Sequence, residues 1–398
     1  MKLRDIFAAF GLLLFLAGCS SKPKHVPVPE ELQAEVRLLN DNKIRYWGDI
    51  EDGIFEMYDQ QNKLRWKPGK EFNFLATSGG GGNGAFSSGI LTAWSDSGER
   101  PEFDTVTGIS TGAIVAVFAY LGSEYDDVLT DLYTNTDDKD IFDSYNIFSL
   151  FNKSALLDTS PLQKKVRDTI TPEILDKIGQ EYNKGRLLLV GTTHLDSQRL
   201  SIWNMGEIAQ IGTEESEKLF EDVVLASAAI PGLFQPVQID VEIDGVTYQE
   251  LHVDGGVTRQ VFCFNDAVTF EGDWSPDNGD RNNSHVYVIT NGEFLPQWTT
   301  SEHSLSYVVE RSIYTIMKYQ GRSDVLRIYE KATAANMTFN FAFVDASLNK
   351  EMSKDKLFDS EFMNELYHFG YTLTLSDMLW HDKPPGFNNV TPSQDLRF

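Results

Sequence analysis

Between residues 72 and 121 the chain repeats one unit twice: a short strand-like run, a glycine-bounded turn, then an apolar helix. Phe72-Asn73-Phe74-Leu75-Ala76-Thr77 reads as a strand, and Gly79-Gly80-Gly81-Gly82-Asn83-Gly84 leads into a helix that runs through Trp94. Phe103 to Thr107 reads as a second strand, Gly108-Ile109-Ser110-Thr111-Gly112 as a second turn, and Thr111 to Leu121, rich in Ala and Val, as a second helix. Strands that alternate with helices in this way imply a parallel sheet with helices packed on its faces. In such a sheet the carboxyl ends of the strands gather at one edge, so both turns face one crevice.

The rest of the pattern is consistent with that class. Leu187–Val190 and Leu200–Trp203 read as paired strands around a turn at Asp196-Ser197. Glu217–Ala229 reads as a helix stopped by Pro231, and Val241–Tyr248 as a hairpin turning at Asp244-Gly245. A strand at His285–Ile289, a long helical region after 300 to about Ala335, a strand at Phe339–Val344 and a helix near Phe362–Leu373 follow. Helical patterning also marks Glu31–Leu39, and 125–185 reads as polar helix and loop. The expected organisation is residues 1–18 as a signal peptide, 19–70 as a tether and amino-terminal segment, 71–295 as a catalytic α/β domain and 296–398 as a carboxy-terminal extension.

Three stretches can carry chemistry. The glycine run costs backbone entropy, so the site needs bare backbone there. Amides at a helix start can hold an anion. The run also satisfies G-x-G-x-x-G, the dinucleotide pattern, whereas Ala85-Phe86 stands where a P-loop needs Lys and Ser or Thr. Taken alone the loop reads equally as a structural turn or an anion site. Gly108-Ile109-Ser110-Thr111-Gly112 is a G-x-S-x-G elbow between strand and helix, which exposes a serine on a sharp turn. Asp254-Gly255-Gly256, after Leu251-His252-Val253, reads alone as a turn.

In order along the chain, these motifs and the segment Ala226-Ser227-Ala228-Ala229-Ile230-Pro231-Gly232-Leu233-Phe234 resemble the patatin-like phospholipases over roughly residues 71–290. The resemblance implies a three-layer α/β fold with a mostly parallel central sheet flanked by helices, here with a carboxy-terminal helical extension. It implies a carboxylic ester hydrolase acting on lipid esters through a Ser–Asp dyad, with no cofactor and no metal. Ser110 would be the nucleophile and Asp254 the base. The oxyanion hole would come from the glycine loop, the backbone of Gly80, Gly81 and Gly82 foremost, with Gly79 and Gly84 beside them. Gly108 and Gly112 would shape the elbow, and Gly255 and Gly256 the turn after the aspartate. Many members carry Arg or Lys where Asn83 stands, so charge-based recognition of a phosphate head group is in doubt here.

Charge and the amino terminus bear on where such an enzyme works. The chain carries 34 basic and 59 acidic residues, a net charge of −25. That balance argues against nucleic acid and against electrostatic adsorption to an anionic bilayer. Lys2 and Arg4 precede the apolar run Ile6–Ala17, which is too short to span a membrane. It ends in Leu16-Ala17-Gly18-Cys19, which resembles the lipobox of bacterial lipoproteins. The resemblance implies an acylated Cys19 as anchor in a bacterial cell envelope, with Ser20 next to it favouring the outer membrane. The only other cysteine, Cys263, lies in the apolar stretch Val261–Phe264 and reads as a buried small side chain. The acidic loop Asp277-Asn278-Gly279-Asp280 lacks EF-hand spacing and reads as solvated.

Three other readings compete. A Ser–His–Asp esterase would need a late histidine, for which His368 and His381 are available; His252, two residues before Asp254, could line the crevice without being the base. A nucleotide-binding module would use Gly79–Gly84, with Asp104 as its roughly placed acid, and would leave Ser110 and Asp254 unused. A catalytically silent lipoprotein would need neither.

Overall fold

Leu187, Leu188, Leu189 and Val190 are all buried, a continuous apolar run of the kind that suits a strand covered on both faces. In the computed structural model of the chain the described residues are 25–39, 44–51, 53–65, 70–144, 157–267, 284–298, 300–301, 303–344 and 356–386. The expected signal segment, Cys19 and the Asp277–Asp280 loop lie outside them.

The strands are β1 (Arg45–Trp47), β2 (Phe72–Thr77), β3 (Thr105–Ile109), the short pair β4 (Asp143–Ser144) and β5 (Leu157–Asp158), β6 (Leu187–His194), β7 (Arg199–Asn204), β8 (Val237–Ile243), β9 (Val246–Asp254), β10 (Ser284–Glu293) and β11 (Thr338–Val344). The helices are α1 (Ile54–Arg65), α2 (Gly84–Asp96), α3 (Thr111–Leu121), α4 (Asp126–Thr134), α5 (Asp138–Ile141), α6 (Ser160–Thr169), α7 (Pro172–Tyr182), α8 (Met205–Ile211), α9 (Glu214–Ser227), α10 (Leu305–Ala334) and α11 (Ser360–Leu375). The main sheet has the order β1-β7-β6-β3-β2-β10-β11, with β9 on β6 and β8 on β9. Strands β6, β3, β2, β10 and β11 are mutually parallel, while β7, β1, β9 and β8 add antiparallel pairs.

Period-2 alternation divides the strand side chains between two cores. Leu75, Val106, Leu188, Val190 and Ile289 join one, with α2, α3, α4, α6, α7, α9 and α11. Ala76, Ile109, Leu187, Leu189, Val286 and Val288 join the other, with α1 and the second half of α10. The result is three layers, helices over sheet over helices. Cys263 is buried in the second core.

Several local expectations shift for physical reasons. β3 starts at Thr105 rather than Phe103. Before it, the Asp104 carboxylate accepts the Asn73 amide (2.8 Å) and pairs with Arg65 and Lys70. α9 starts at Glu214 because Thr213 and Ser216 form a capping box there. The Glu31–Leu39 patterning gives only a 3₁₀ turn, Glu30–Glu35, after which Arg37 bridges to Glu242. Residues 25–29, the described part of the expected tether, lie along β9: Val26 exchanges hydrogen bonds with Gln249, and Val28 is buried.

The segment after 295 is built into these layers. β11 extends the parallel sheet beside β10, and α11 packs along α2. The two helices approach through glycines. A Cβ at Gly89 would clash with the Tyr367 carbonyl oxygen, and one at Gly370 would lie 2.6 Å from that of Phe86. Gly89→Val should therefore destabilise the fold by about 3 kcal/mol. Urea denaturation of the variant should show a clearly lower midpoint, and an unchanged midpoint would refute this close packing of α11 on α2.

Candidate active site

Strand β6 changes partner along one edge, and the change creates the site. Its residues Leu187–Gly191 pair with β3, ending at Ile109↔Gly191. The next residue, Thr192, pairs with Asp254 of β9. β3 runs parallel to β6 and β9 antiparallel, so the two strands point at each other along it. Ser110, the first residue after β3, thus meets Asp254, the last residue of β9.

The chain leaves β3 through a strained turn. Ser110 has φ 55° and ψ −128°, a region that residues with a Cβ rarely occupy. Close contact enforces it. A Cβ at Gly108 would collide with the Gly112 carbonyl oxygen, and one at Gly112 with that of Thr77. The Ser110 amide donates to Ser227 Oγ (2.9 Å), whose own hydroxyl donates to the Gly191 carbonyl (2.8 Å). Ser227 therefore fixes the Ser110 backbone to β6. The segment around it stands out in the sequence, but this role does not.

Asp254 is buried, and its carboxyl is pushed up to about 6. Loss of solvation is the main cause; the Ser110 hydroxyl and the Gly256 amide (2.7 Å) both favour the charged form and pull the other way. No basic side chain offsets the burial, so the group accepts protons near neutrality better than a solvated carboxylate does. Gly255 lets the chain turn, since a Cβ there would sit 2.5 Å from the Gly191 carbonyl oxygen.

The glycine loop follows β2 on the next strand. The Gly79 amide donates to the Gln260 carbonyl (3.1 Å), and that of Gly84 to the carbonyls of Gly81 and Gly82 while opening α2. This corrects the expectation for Gly79 and Gly84, whose amides are already engaged and cannot hold an oxyanion. The amides of Gly80, Gly81 and Gly82 have no acceptor among the described residues. Gly80 and Gly81 have φ of 154° and 57°, and the space beside Gly81 is open. Asn83 is half-buried and supplies no side-chain cap to α2.

A residue the sequence reading missed holds this loop. Asn291, fully buried at the carboxyl end of β10, donates from Nδ2 to the Ser78 carbonyl (2.9 Å) and accepts from Ser87 Oγ (2.6 Å). Its amide donates to Ser78 Oγ (2.9 Å), and its Cβ fills the place a Gly80 side chain would need. Its position at the carboxyl end of a central parallel strand was the available signal.

An apolar pocket opens from Ser110 between α3, α6, α9 and α11. Its walls include Ile114, Phe118, Leu162, Val166, Phe234 and Met363, and no histidine. His252 is buried against Thr192 and Glu250, His194 against Ser197 and Glu250, His368 is exposed on α11, and the His381 backbone pairs with Phe341. Asp104 lies before β3, at the sheet edge opposite the glycine loop, so it cannot serve a nucleotide held there.

His194, Glu250 and His252 present donor atoms within 4.8 Å of one another, close enough to test as metal ligands. Their hydrogen bonds suit protons instead. The Ser197 amide donates to His194 Nδ1 (3.1 Å), which leaves the proton of a neutral ring on Nε2, 3.6 Å from Glu250. Trp203 donates to Thr192 Oγ1 (2.8 Å), Thr192 meets His252 Nδ1 (2.9 Å), and His252 Nε2 faces Glu250 (3.3 Å). Arg45 already pairs with that carboxylate. Burial pushes both rings down, His194 to about 4, so both are neutral near pH 7.

Residues 75–263 match the family model described as "Patatin-like phospholipase", a stretch that contains Ser110, Asp254 and the glycine loop. The match supports a lipid hydrolase. The chain is 26% identical over 285 residues to "Uncharacterized protein R571" of Acanthamoeba polyphaga mimivirus, covering 67% of this chain and 86% of that protein. Among solved structures it is similar to VipD from Legionella pneumophila (14% identity, TM-score 0.37, 77% of this chain and 66% of that one). It is also similar to ExoU of Pseudomonas aeruginosa solved with SpcU (14% identity, TM-score 0.27, 67% of this chain and 52% of that one). The chain thus spans under two thirds of the one and about half of the other.

Two outcomes follow from the geometry. Asn291→Ala should lower kcat about 10²-fold or more through a misplaced loop, with folding intact by circular dichroism; full turnover would show that Asn291 does not position it. Asp254, raised in the fold, stabilises most below its unfolded pKa, and that contribution is lost as pH rises through about 6. Asp254→Asn should therefore gain stability over the parent between pH 4.5 and 7.5, by about 2 kcal/mol. Thermal melts at the two pH values measure it, and a constant difference would mean that Asp254 does not titrate in this range.

Proposed function

We propose that the protein is a serine acyl hydrolase that cleaves ester bonds of membrane lipids through a Ser110–Asp254 dyad. The observation that carries the reading is the meeting of a strained serine turn with a desolvated carboxyl at an apolar pocket. In the first half-reaction the acyl chain occupies the pocket, where burying each methylene contributes about 0.8 kcal/mol. Ser110 Oγ attacks the ester carbonyl carbon while Asp254 takes its proton. The Gly80–Gly82 amides stabilise the oxyanion at the amino-terminal end of α2. Collapse breaks the ester C–O bond, and Asp254 returns the proton to the leaving alcohol. Water then attacks the acyl-serine by the same route. With Asn83 neutral, recognition here depends on the acyl chain rather than on a charged contact from that position.

The setting belongs to the same proposal. The Leu16-Ala17-Gly18-Cys19 ending supports acylation at Cys19 and attachment to a bacterial envelope membrane, with Ser20 favouring the outer one. Two or more acyl chains hold an acidic body on a bilayer through methylene burial.

Labelling with a fluorophosphonate, followed by peptide mapping, tests the chemistry. The label should fall on Ser110. Turnover should drop about 10⁴-fold in Ser110→Ala and in Asp254→Asn. Single His194→Gln, His252→Gln, His368→Gln and His381→Gln variants should keep most activity. A folded histidine variant as impaired as Asp254→Asn would replace the dyad with a Ser–His–Asp triad.

A further inference from the structure

Helix α10 is amphipathic in an inverted sense over its first half. At 100° per residue, Leu305, Val308, Val309, Ile313 and Ile316 form one stripe, and that stripe faces outward. Leu305 is 82% exposed and Ile316 67%, with Val308, Val309 and Ile313 about half exposed. The basic side chains of the opposite stripe reach back to the body. Arg311 donates to the Gln297 carbonyl (2.9 Å), and Lys318 to Glu293 (2.9 Å) and the Leu295 carbonyl (3.1 Å). Arg322 donates to the Phe294 carbonyl (3.0 Å). Trp298, 80% exposed, precedes the helix. The second half of the same helix behaves ordinarily, burying Val325, Ile328 and Ala332.

The stripe begins at the rim of the catalytic site. Gln320 donates to the Val257 carbonyl (3.4 Å) and accepts from Gln260 (3.4 Å), and the Gln260 carbonyl receives the Gly79 amide. Val257, three residues after Asp254, is itself half exposed. An exposed apolar band therefore runs outward from the mouth beside Ser110.

We propose that the first half of α10, with Trp298 and Val257, docks the protein on a lipid bilayer by apolar insertion and sets the mouth of the site against the membrane. The inference rests on the acyl-hydrolase reading, because it identifies where that substrate comes from. A bilayer fits this face better than a second copy or another protein, since either of those would cover the rim that the substrate must cross. Trp298 and Tyr319 are amphipathic aromatics of the kind favoured at a bilayer interface. Insertion of apolar area also suits a chain with a net charge of −25, which an anionic surface repels.

The test uses the full chain with Cys19→Ala in every arm, so that no acyl anchor contributes. With Ser110→Ala added to keep the lipid intact, the chain should co-sediment with phosphatidylcholine vesicles, with little dependence on salt. The pair Ile313→Glu and Ile316→Glu should reduce binding at least tenfold. In the Ser110-intact chain the same pair should leave turnover of a short soluble p-nitrophenyl ester unchanged and lower hydrolysis of vesicle phospholipid at least tenfold. Vesicle binding that is missing, or that the pair does not alter, overturns the proposal. So does a dimer in light scattering that the pair abolishes, because a second copy then covers the stripe. If binding depends on the stripe but no ester is cleaved, docking stands and the hydrolase reading fails; ester cleavage without binding fails docking alone.

Discussion

The site depends on one exchange of hydrogen-bond partners, that of β6 between Gly191 and Thr192. A parallel strand brings Ser110 from one direction and an antiparallel strand brings the Asp254 carboxylate from the other. Neither Ser110 nor Asp254 then needs a long loop to reach its partner. What fixes β9 in place is largely polar. Thr193 Oγ1 donates to the Asp254 carbonyl (3.0 Å), and the buried Arg45–Glu250 pair, with His252 and Thr192, ties the strand to β1, β6 and β7. Removing one member of such a pair leaves an uncompensated buried charge, at about 3–5 kcal/mol. His194 and His252 are therefore absorbed by the frame that carries Asp254, while His368 and His381 lie outside it.

The same arrangement gathers unfavourable features at Ser110 and Asp254. Ser110 is held in a conformation of about 1–3 kcal/mol strain, and Asp254 is desolvated without a cation beside it. Both are tolerated because the three-layer core around them is extensive and because Ser227 and Asn291 over-determine the local backbone. Residues far along the chain take part: Asn291 fills the space beside Gly80, and Met363 of α11 lies 3.1 Å from where a Gly82 side chain would begin.

Much of this was legible in the sequence. Short local signals place β2, the α2 helix and its glycine entry, α3, the β6–β7 pair, the β8–β9 hairpin, α10 and α11, because turn residues and apolar periodicity act within a few residues. The spacing of Ser110, Asp254 and the glycines was readable for the same reason. Four things were not. The division of labour within Gly79–Gly84 depends on the Gln260 carbonyl, which is distant in sequence. The roles of Ser227 and Asn291 exist only through tertiary contacts. The bond between the segment after 295 and the rest is carried by Gly89 and Gly370, which look in sequence like ordinary interruptions of two helices. The inward turn of Arg311 and Lys318 on α10 likewise reverses what a helical periodicity alone suggests.

The central claim is that Asp254, not a histidine, is the proton acceptor, and that burial tunes it for the task. The most direct measurement is a pH titration of its carboxyl carbon by NMR in a chain labelled with ¹³C at the aspartate carboxyl positions, the resonance identified by its loss in Asp254→Asn. The account predicts a midpoint near 6 that persists in His252→Gln. A midpoint in the ordinary carboxylate range, about 3.9, would contradict it.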